Sequence, residues 1–282
     1  MTTSTLNHVA DVLRGNLVTA AAAAGTALLI AVAILGPWIT PYDPIASNVS
    51  IALQPPSFAH WAGTDQLGRD IASRIIAATR LDLLIAASAV SLSFVVGALI
   101  GSLCGYHGGR VDRWIGRVVD ILMAFPLFVL AMAMVAALGN RVENIIYATA
   151  LINLPFYIRF ARAEVNVRRN LGWVEAARAS GNSHFQVVTH FLLPNILPAM
   201  AVQISLNLGW AILNAAGLSF IGLGVQPPTP EWGIMVAEGA RHITTGRWWL
   251  VAFPGLALML AVLCFNLLGD GLRDVLDPRM RT

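Results

Sequence analysis

The sequence predicts an all-α polytopic membrane protein with six transmembrane helices. Hydrophobic residues make up 57% of its 282 positions and charged residues only 12%, and a water-soluble domain rarely has such proportions. Long windows without any charged side chain recur along the chain. Because roughly 20 apolar residues are enough to cross about 30 Å of hydrocarbon, each of these windows is a candidate span.

The six predicted spans cover approximately residues 17–39, 83–103, 118–138, 144–163, 195–216 and 249–268. The first is about 23 uncharged residues long and carries Trp38 near its end. This length suits a membrane anchor better than the alternative, a cleaved signal peptide. In the third, we expect Pro126 to kink the helix and Asp120 to pair with an arginine near the inner end of the spans.

These spans divide the chain into four parts. Residues 1–40 form an N-terminal tail and the first helix, and residues 41–80 an extracytoplasmic segment. Within that segment, Leu67, Ile71, Ile75 and Ile76 recur at helical spacing and predict a surface helix leading into span two. Residues 81–270 form a five-helix core that contains a cytoplasmic loop at 164–194, and residues 271–282 form a tail.

The distribution of the arginines indicates how the chain is oriented in the membrane. All eighteen basic residues are Arg, and the assumed cytoplasmic side receives twelve of them against six outside. This asymmetry agrees with the positive-inside rule. We therefore expect both termini and the segment 162–190 to be cytoplasmic, in a multi-pass protein of a prokaryotic cytoplasmic membrane.

The loop between spans four and five has the most specific pattern. Glu175, Ala176, Ala177 and Ala179 predict a short helix whose small side chains let another backbone approach closely. Gly181 ends that helix, since glycine adopts the left-handed conformation of a helix C-cap without steric cost. Further along the loop, Ser183 and Gln186 predict a capping box that opens a second short helix, with Phe185, Val188 and Leu192 roughly on one face. After Leu193, Pro194 suits the first turn of the next long helix.

This loop resembles the cytoplasmic "EAA" loop of the membrane subunits of binding-protein-dependent ABC importers. The pattern is Glu-Ala-Ala, three residues, Gly, nine residues and Ile-x-Leu-Pro, and here Phe191 stands where Ile is usual. Segments 63–70, 218–233 and 266–279 are similar to those of the peptide and nickel importers. We expect the mixed charges of segment 63–70 to form a solvated or partner-facing surface and not a catalytic site. The resemblance implies a type I ABC importer permease fold, and the second, C-type membrane subunit of a dipeptide or oligopeptide transporter.

The same resemblance implies the partners. These are a paralogous permease that forms a heterodimer with this chain, two ATP-binding domains and an extracytoplasmic substrate-binding protein, all acting at a lipid bilayer and without nucleic acid. Because the chain has no lysine, it cannot carry a Walker A loop. We therefore expect no cofactor on this chain, with ATP and Mg²⁺ bound by the partner subunits. The ATPase-coupling residues would be Glu175, Ala176, Ala177, Gly181, Leu193 and Pro194.

Enzyme activity is not expected. The span interiors offer neither the Ser/His pair or paired Asp of an intramembrane protease nor the buried carboxylates of a proton-coupled carrier. Cys104 and Cys264 are too few and too isolated for a metal site or a disulfide framework. Nickel import through a similar permease is the nearest alternative. A passive channel or a structural membrane scaffold is the alternative of a different class, but neither would need the loop.

A polar stripe is predicted along span five. At 100° per residue, Gln203, Asn207, Trp210 and Asn214 project within an arc of about 60°. One interpretation is that they line the translocation path or the adjoining subunit interface. The other is hydrogen bonding that only holds helices together.

Overall fold

The computed structural model describes the backbone of residues 16–276 and side chains through residue 273. The tail predicted at 1–14 and the end of the tail predicted at 271–282 lie outside this range. Nine helices account for most of the described chain, and no strand occurs within it, so the predicted all-α class is confirmed. They are α1 (Leu17–Ile39), α2 (Ile71–His107), α3 (Gly109–Ala124), α4 (Leu127–Leu138), α5 (Val142–Arg168), α6 (Gly172–Ala179), α7 (His184–Phe220), α8 (Trp232–Ala240) and α9 (Trp249–Leu276).

Membrane-spanning character is clear for four of these helices. By length and hydropathy, α1, α2, α7 and α9 qualify, and the bent pair α3–α4 qualifies as a possible fifth span. Helix α5 has 27 residues, which is long enough, but it carries charged residues at both ends. The predicted total of six spans fits this arrangement if α5 also crosses, and it stays a prediction.

The predicted third span is not a single kinked helix. Helices α3 and α4 meet at 87°, with Phe125 and Pro126 between them. Pro126 cannot donate a backbone hydrogen bond, and the residue before a proline avoids the helical conformation. The helix therefore breaks at Phe125 and Pro126. One side of α3 forms two ion pairs with α5, Asp112 with Arg162 and Asp120 with Arg159. The predicted pairing of Asp120 with an arginine is confirmed.

Helix α2 is the centre of the bundle and packs most closely on α5. Small residues make this possible, because Gly97, Gly101 and Gly105 lie one above the other on α2. A Cβ atom at Gly97 would lie 2.5 Å from Cβ of Tyr157, and one at Gly105 would lie 2.6 Å from the carbonyl oxygen of Arg162. Side chains at these positions would push the helices apart, so the glycines set the distance between them.

The segment between α1 and α2 folds back on the N-terminal end of α2, and the charged residues from Asp65 to Asp70 are buried. Arg69 and Asp65 are 1% and 6% exposed and form an ion pair at 2.5 Å, and Arg69 also reaches Glu238 of α8 at 3.2 Å. Asp70 caps α2 by accepting the N–H of Ser73 at 2.8 Å. The expectation that the charges of segment 63–70 form a solvated or partner-facing surface was therefore wrong, since they hold the outer loops together. The predicted surface helix is the first part of α2 itself.

Candidate functional site

The helix of the predicted coupling loop presents two different faces. In α6, Val174 and Ala177 are 0% and 5% exposed and pack against the bundle. Glu175, Ala176 and Ala179 point outward and are exposed, and no described residue forms an ion pair with Glu175. The outward face is thus a carboxylate beside two methyl groups, a thin surface that another protein's backbone can approach. Ala177, grouped with the coupling residues by its sequence motif, lies on the inner face.

Gly181 makes the turn that follows α6. Its φ is +82°, and its N–H donates to the carbonyl of Arg178 at 3.0 Å. No atom lies within 4 Å of where its Cβ would stand, so the backbone conformation alone requires glycine here. The side chain of Asn182 then donates to the carbonyl of Ala177 at 2.9 Å and closes the turn. The predicted end of the helix at Gly181 is confirmed.

The second helix of the loop begins as predicted but does not end before the next span. Ser183 and Gln186 form the capping box, with bonds of 3.3 and 2.8 Å. From His184 the chain stays helical to Phe220, through a π-helical segment at Val187–Leu192. Its buried face consists of Val187, Val188 and Leu192, whereas Phe185 is 57% exposed. Phe185, expected roughly on one face with Val188 and Leu192, therefore does not share their burial.

The π-helical segment explains how Pro194 fits inside a continuous helix. Proline lacks an N–H, and its ring clashes with the carbonyl four residues earlier in a regular α-helix. The wider π turn just before it, in which the N–H of Leu193 bonds the carbonyl of Val188, relieves that crowding. Leu193 is half-buried and Pro194 exposed. The segment predicted as a loop at 164–194 therefore includes the end of α5 and the start of α7, and only 169–183 lies between these two helices.

A tyrosine at the C-terminal end of α2 joins both halves of the loop. The Tyr106 hydroxyl accepts a hydrogen bond from Nε of Arg178 in α6 at 2.9 Å. The same oxygen lies 3.0 Å from Nδ1 of His184, the first residue of α7. The guanidinium carbon of Arg178 also sits 4.7 Å from the centre of the Tyr106 ring, within cation–π range. Tyr106 therefore connects α6 directly to α2 and to α7.

Two arginine–carbonyl bonds complete this junction. Arg178 donates through Nη2 to the carbonyl of Arg169 at 3.2 Å, and Arg169 donates through Nη1 to the carbonyl of Gly105 at 3.1 Å. The sequence motif did not identify Tyr106, Arg178, Arg169 or His184 as site residues. The available signal was weak: Arg178 follows the Glu-Ala-Ala triplet directly, and Tyr106 precedes the glycine turn at Gly108 and Gly109.

The polar stripe of α7 faces the inside of this chain. Asn207 and Asn214 are each 7% exposed, while Gln203 and Trp210 are half-buried. Asn214 donates to the carbonyl of Trp210 at 2.9 Å, and the Trp210 ring meets Phe156 of α5 edge to face. The amide nitrogen of Asn207 is buried without a hydrogen-bond partner, and so is the hydroxyl of Tyr157 on α5. Within the stripe, two neighbouring polar groups on α7 and α5 are therefore buried without a geometrically good hydrogen bond among the described residues.

Comparison with known proteins agrees with this architecture. The model of the family described as binding-protein-dependent transport system inner membrane component matches residues 97–282, about two thirds of the chain. A second model, the N-terminal TM domain of oligopeptide transport permease C, matches residues 10–56.

Several curated relatives are similar over nearly their full length. The probable D,D-dipeptide transport system permease protein DdpC of Escherichia coli is 43% identical over 95% of this chain and 89% of its own. The di/tripeptide permease DppC of Pseudomonas aeruginosa is 44% identical over 90% and 86%, respectively. The nickel permease NikC of Escherichia coli is 42% identical over 91% and 92%. The chain therefore belongs to the binding-protein-dependent transport system inner membrane components, as a C-type permease subunit of the ABC importers that carry dipeptides, oligopeptides or nickel.

Proposed function

We propose that this permease imports dipeptides or oligopeptides and that the loop around Glu175 and Gly181 couples it to separate ATPase subunits. Relatives named for dipeptides or di/tripeptides, at 43% and 44% identity, support the substrate class. Gln203 and Trp210, the half-buried members of the stripe on α7, are uncharged, which suits substrates with varied side chains, because a fixed charge would hold some of them too tightly.

The observation that carries the coupling role is the junction at Tyr106. An importer must convert a change at a remote nucleotide site into movement of its spans, and this chain has no lysine for a phosphate loop of its own. Helix α6 offers an exposed docking face at Glu175, Ala176 and Ala179, while Arg178 on the same helix bonds Tyr106 of α2. A push on the docking face therefore reaches two spanning helices, α2 and α7, through short hydrogen bonds.

The partners follow from this role. We propose a heterodimer with a paralogous permease, with two ATP-binding domains on the cytoplasmic side and a substrate-binding protein outside. The arginine distribution supports an orientation in which α6 and both termini are cytoplasmic. ATP and Mg²⁺ would be bound by the ATPase subunits alone.

Nickel transport is the second candidate, because the nickel permease matches this chain at 42% identity, almost as closely as the peptide permeases. The two functions are separated by transport assays in proteoliposomes. The reconstituted complex with its binding protein would be offered a radiolabelled dipeptide or ⁶³Ni²⁺. Uptake of the dipeptide that requires ATP supports the proposal, and uptake of nickel without the dipeptide overturns it.

Substitution with a large side chain tests the docking face. Ala176→Trp places a large ring where a partner backbone must come close, so the ATPase subunits should no longer co-purify with the permease. Ala163→Trp is the matched control, since Ala163 is also exposed at the inner end of the bundle but lies outside α6. Equal recovery of the ATPase with both variants would remove α6 from the docking site.

A further inference from the structure

A groove with a polar end and an apolar end runs between α1 and α2. Its polar part is a cavity of about 540 Å³ lined in part by Thr40, Tyr42, Asp43 and Arg80. Its apolar part has about 390 Å³ and is lined by Ile30, Ala33, Ile34, Trp38, Leu83 and Leu84, together with Arg80. Both volumes fall within the range of about 300–1,000 Å³ that is usual for ligand sites.

The two parts share Arg80, which lies where headgroup and hydrocarbon meet. Trp38 stands at the end of α1 on the same level, as aromatic residues at a membrane interface do. From Trp38 to Ile30 the groove follows eight residues of α1, about 12 Å at 1.5 Å per residue. This approaches the half-thickness of the hydrocarbon, about 15 Å. The apolar part therefore has the depth that one acyl chain needs within a single leaflet.

Two opposite charges at the polar end remain available to a ligand. Arg80 is exposed and forms no ion pair with any carboxylate among the described residues, including Asp43. One carboxylate oxygen of Asp43 accepts the N–H groups of Ile45 and Ala46 at 2.8 and 3.3 Å, which fixes the side chain. No described donor bonds its other oxygen.

We propose that this groove binds one phospholipid with a primary ammonium headgroup, phosphatidylethanolamine. Its phosphate pairs with Arg80, its ammonium with the open oxygen of Asp43, and one acyl chain lies along Ile34 and Leu84. The arginine distribution places the lipid in the outer leaflet. A zwitterionic headgroup fits one cation and one anion, whereas a purely anionic headgroup would leave Asp43 facing like charge. The bound lipid would join α1 to α2 beyond their direct contacts.

Native mass spectrometry of the purified permease complex tests this proposal. Micelles would receive equal amounts of dioleoyl phosphatidylethanolamine, phosphatidylcholine and phosphatidylglycerol. We expect one phosphatidylethanolamine per complex to be retained in preference to the other two lipids. Arg80→Gln should weaken its retention about tenfold, the usual loss for one charge-assisted hydrogen bond. Arg141→Gln is the control, because it removes the same charge from another exposed position.

Further variants test the polar end and the apolar end of the groove separately. Asp43→Asn retains an oxygen for the N–H groups of Ile45 and Ala46, and it should abolish the preference for the ethanolamine over the choline headgroup. Ala33→Phe narrows the apolar part and should lower retention of all lipids, unlike Ala31→Phe, at a half-buried position that does not line the groove. Equal retention of the three lipids by the unmodified complex, a preference for phosphatidylglycerol, or equal behaviour of Arg80→Gln and Arg141→Gln would overturn the assignment.

Discussion

The hydroxyl of Tyr106 lies 3.0 Å from Nδ1 of His184, and this contact connects the C-terminal end of α2 to the first residue of α7. The Tyr106 oxygen also accepts from Nε of Arg178, so the hydroxyl forms hydrogen bonds with both residues. One phenol thus connects three helices, α2, α6 and α7. The tyrosine is 6% exposed, whereas both of its partners, Arg178 and His184, are exposed.

Removing this hydroxyl should uncouple ATP hydrolysis from transport. Tyr106→Phe keeps the ring under Arg178 but loses both hydrogen bonds, a loss of about 1–3 kcal/mol at the junction. In proteoliposomes we expect ATP hydrolysis to continue while substrate uptake per ATP falls several-fold. Tyr147→Phe, at a 53% exposed tyrosine, is the control. An unchanged ratio of transport to hydrolysis in Tyr106→Phe would contradict the role of the junction.

Substitutions of Gly181 should act through the backbone conformation of the turn and not through the size of the new side chain. A residue other than glycine at its φ of +82° costs about 1–2 kcal/mol, and a β-branched residue costs more. Gly181→Val should therefore re-aim α6 and abolish transport, while the protein still inserts in the membrane. Gly181→Asn should retain much of the activity, since asparagine tolerates the left-handed region.

Gly172 provides the matched position for that experiment. It lies at the start of α6, it also has no atom within 4 Å of its Cβ position, and its φ is not in the left-handed range. Gly172→Val adds the same side chain without the backbone strain. If both valine variants lose transport alike, surface bulk rather than turn geometry explains the defect.

Local chemistry was predictable from the sequence. The structure begins and ends the first helix at Leu17–Ile39, as its charge-free window predicted, and Asn16 caps it. The turn at Gly181 and the capping box of Ser183 and Gln186 also match, because each depends on residues within four positions of one another. Short-range hydrogen bonds of this kind can be predicted directly from the order of the residues.

Tertiary partners were not predictable in the same way. Tyr106 and Arg178 are 72 positions apart, and Arg69 and Glu238 are 169 positions apart. The sequence around each residue therefore does not indicate its partner. The sequence therefore led us to expect Arg69 at the surface, but it is 1% exposed. The continuity of α7 was missed for a related reason, since the π-helical segment that accommodates Pro194 has no simple sequence signature.

The polar stripe of α7 gives a third prediction, about Asn207. Its amide nitrogen has no partner in this structure, so Asn207→Leu should leave stability unchanged or raise it by about 1 kcal/mol. If the stripe lines the translocation path or the subunit interface beside it, the same variant should lose transport. Asn214→Leu is the comparison, because it also removes an existing bond to Trp210. Full transport by Asn207→Leu together with Asn214→Leu, in a normally assembled complex, would leave the stripe with a packing role only.

The last prediction concerns Glu231, in the connection between α7 and α8. Both of its carboxylate oxygens accept backbone N–H groups, from Gly233 and Ile234, at 2.8 Å each. It is 1% exposed, and next to it the N–H of Trp232 donates to Asp82 of α2 at 3.1 Å. Burial raises the pKa of Glu231 to about 7, and the two backbone bonds only partly offset that effect.

This shift gives stability a definite dependence on pH. Between about pH 4.5 and 7 the unfolded chain releases the Glu231 proton while the folded protein retains it, so the free energy of unfolding falls as pH rises. The fall should be on the order of 3 kcal/mol, since each unit of pKa corresponds to about 1.4 kcal/mol. Thermal unfolding of the purified complex should thus begin at a lower temperature at pH 8 than at pH 5.

Asp82→Asn isolates the contribution of this carboxyl pair. Its amide oxygen can still accept the N–H of Trp232, and its amide group cannot ionise, so only Glu231 of this pair is left to titrate. The variant should therefore lose less stability than the unmodified protein between pH 5 and pH 8. Asp120→Asn is the control, because Asp120 is 67% exposed and its loss removes one carboxylate without touching Glu231. Parallel pH profiles for the unmodified protein and Asp82→Asn would show that the two carboxyls do not titrate together and that another group sets the stability.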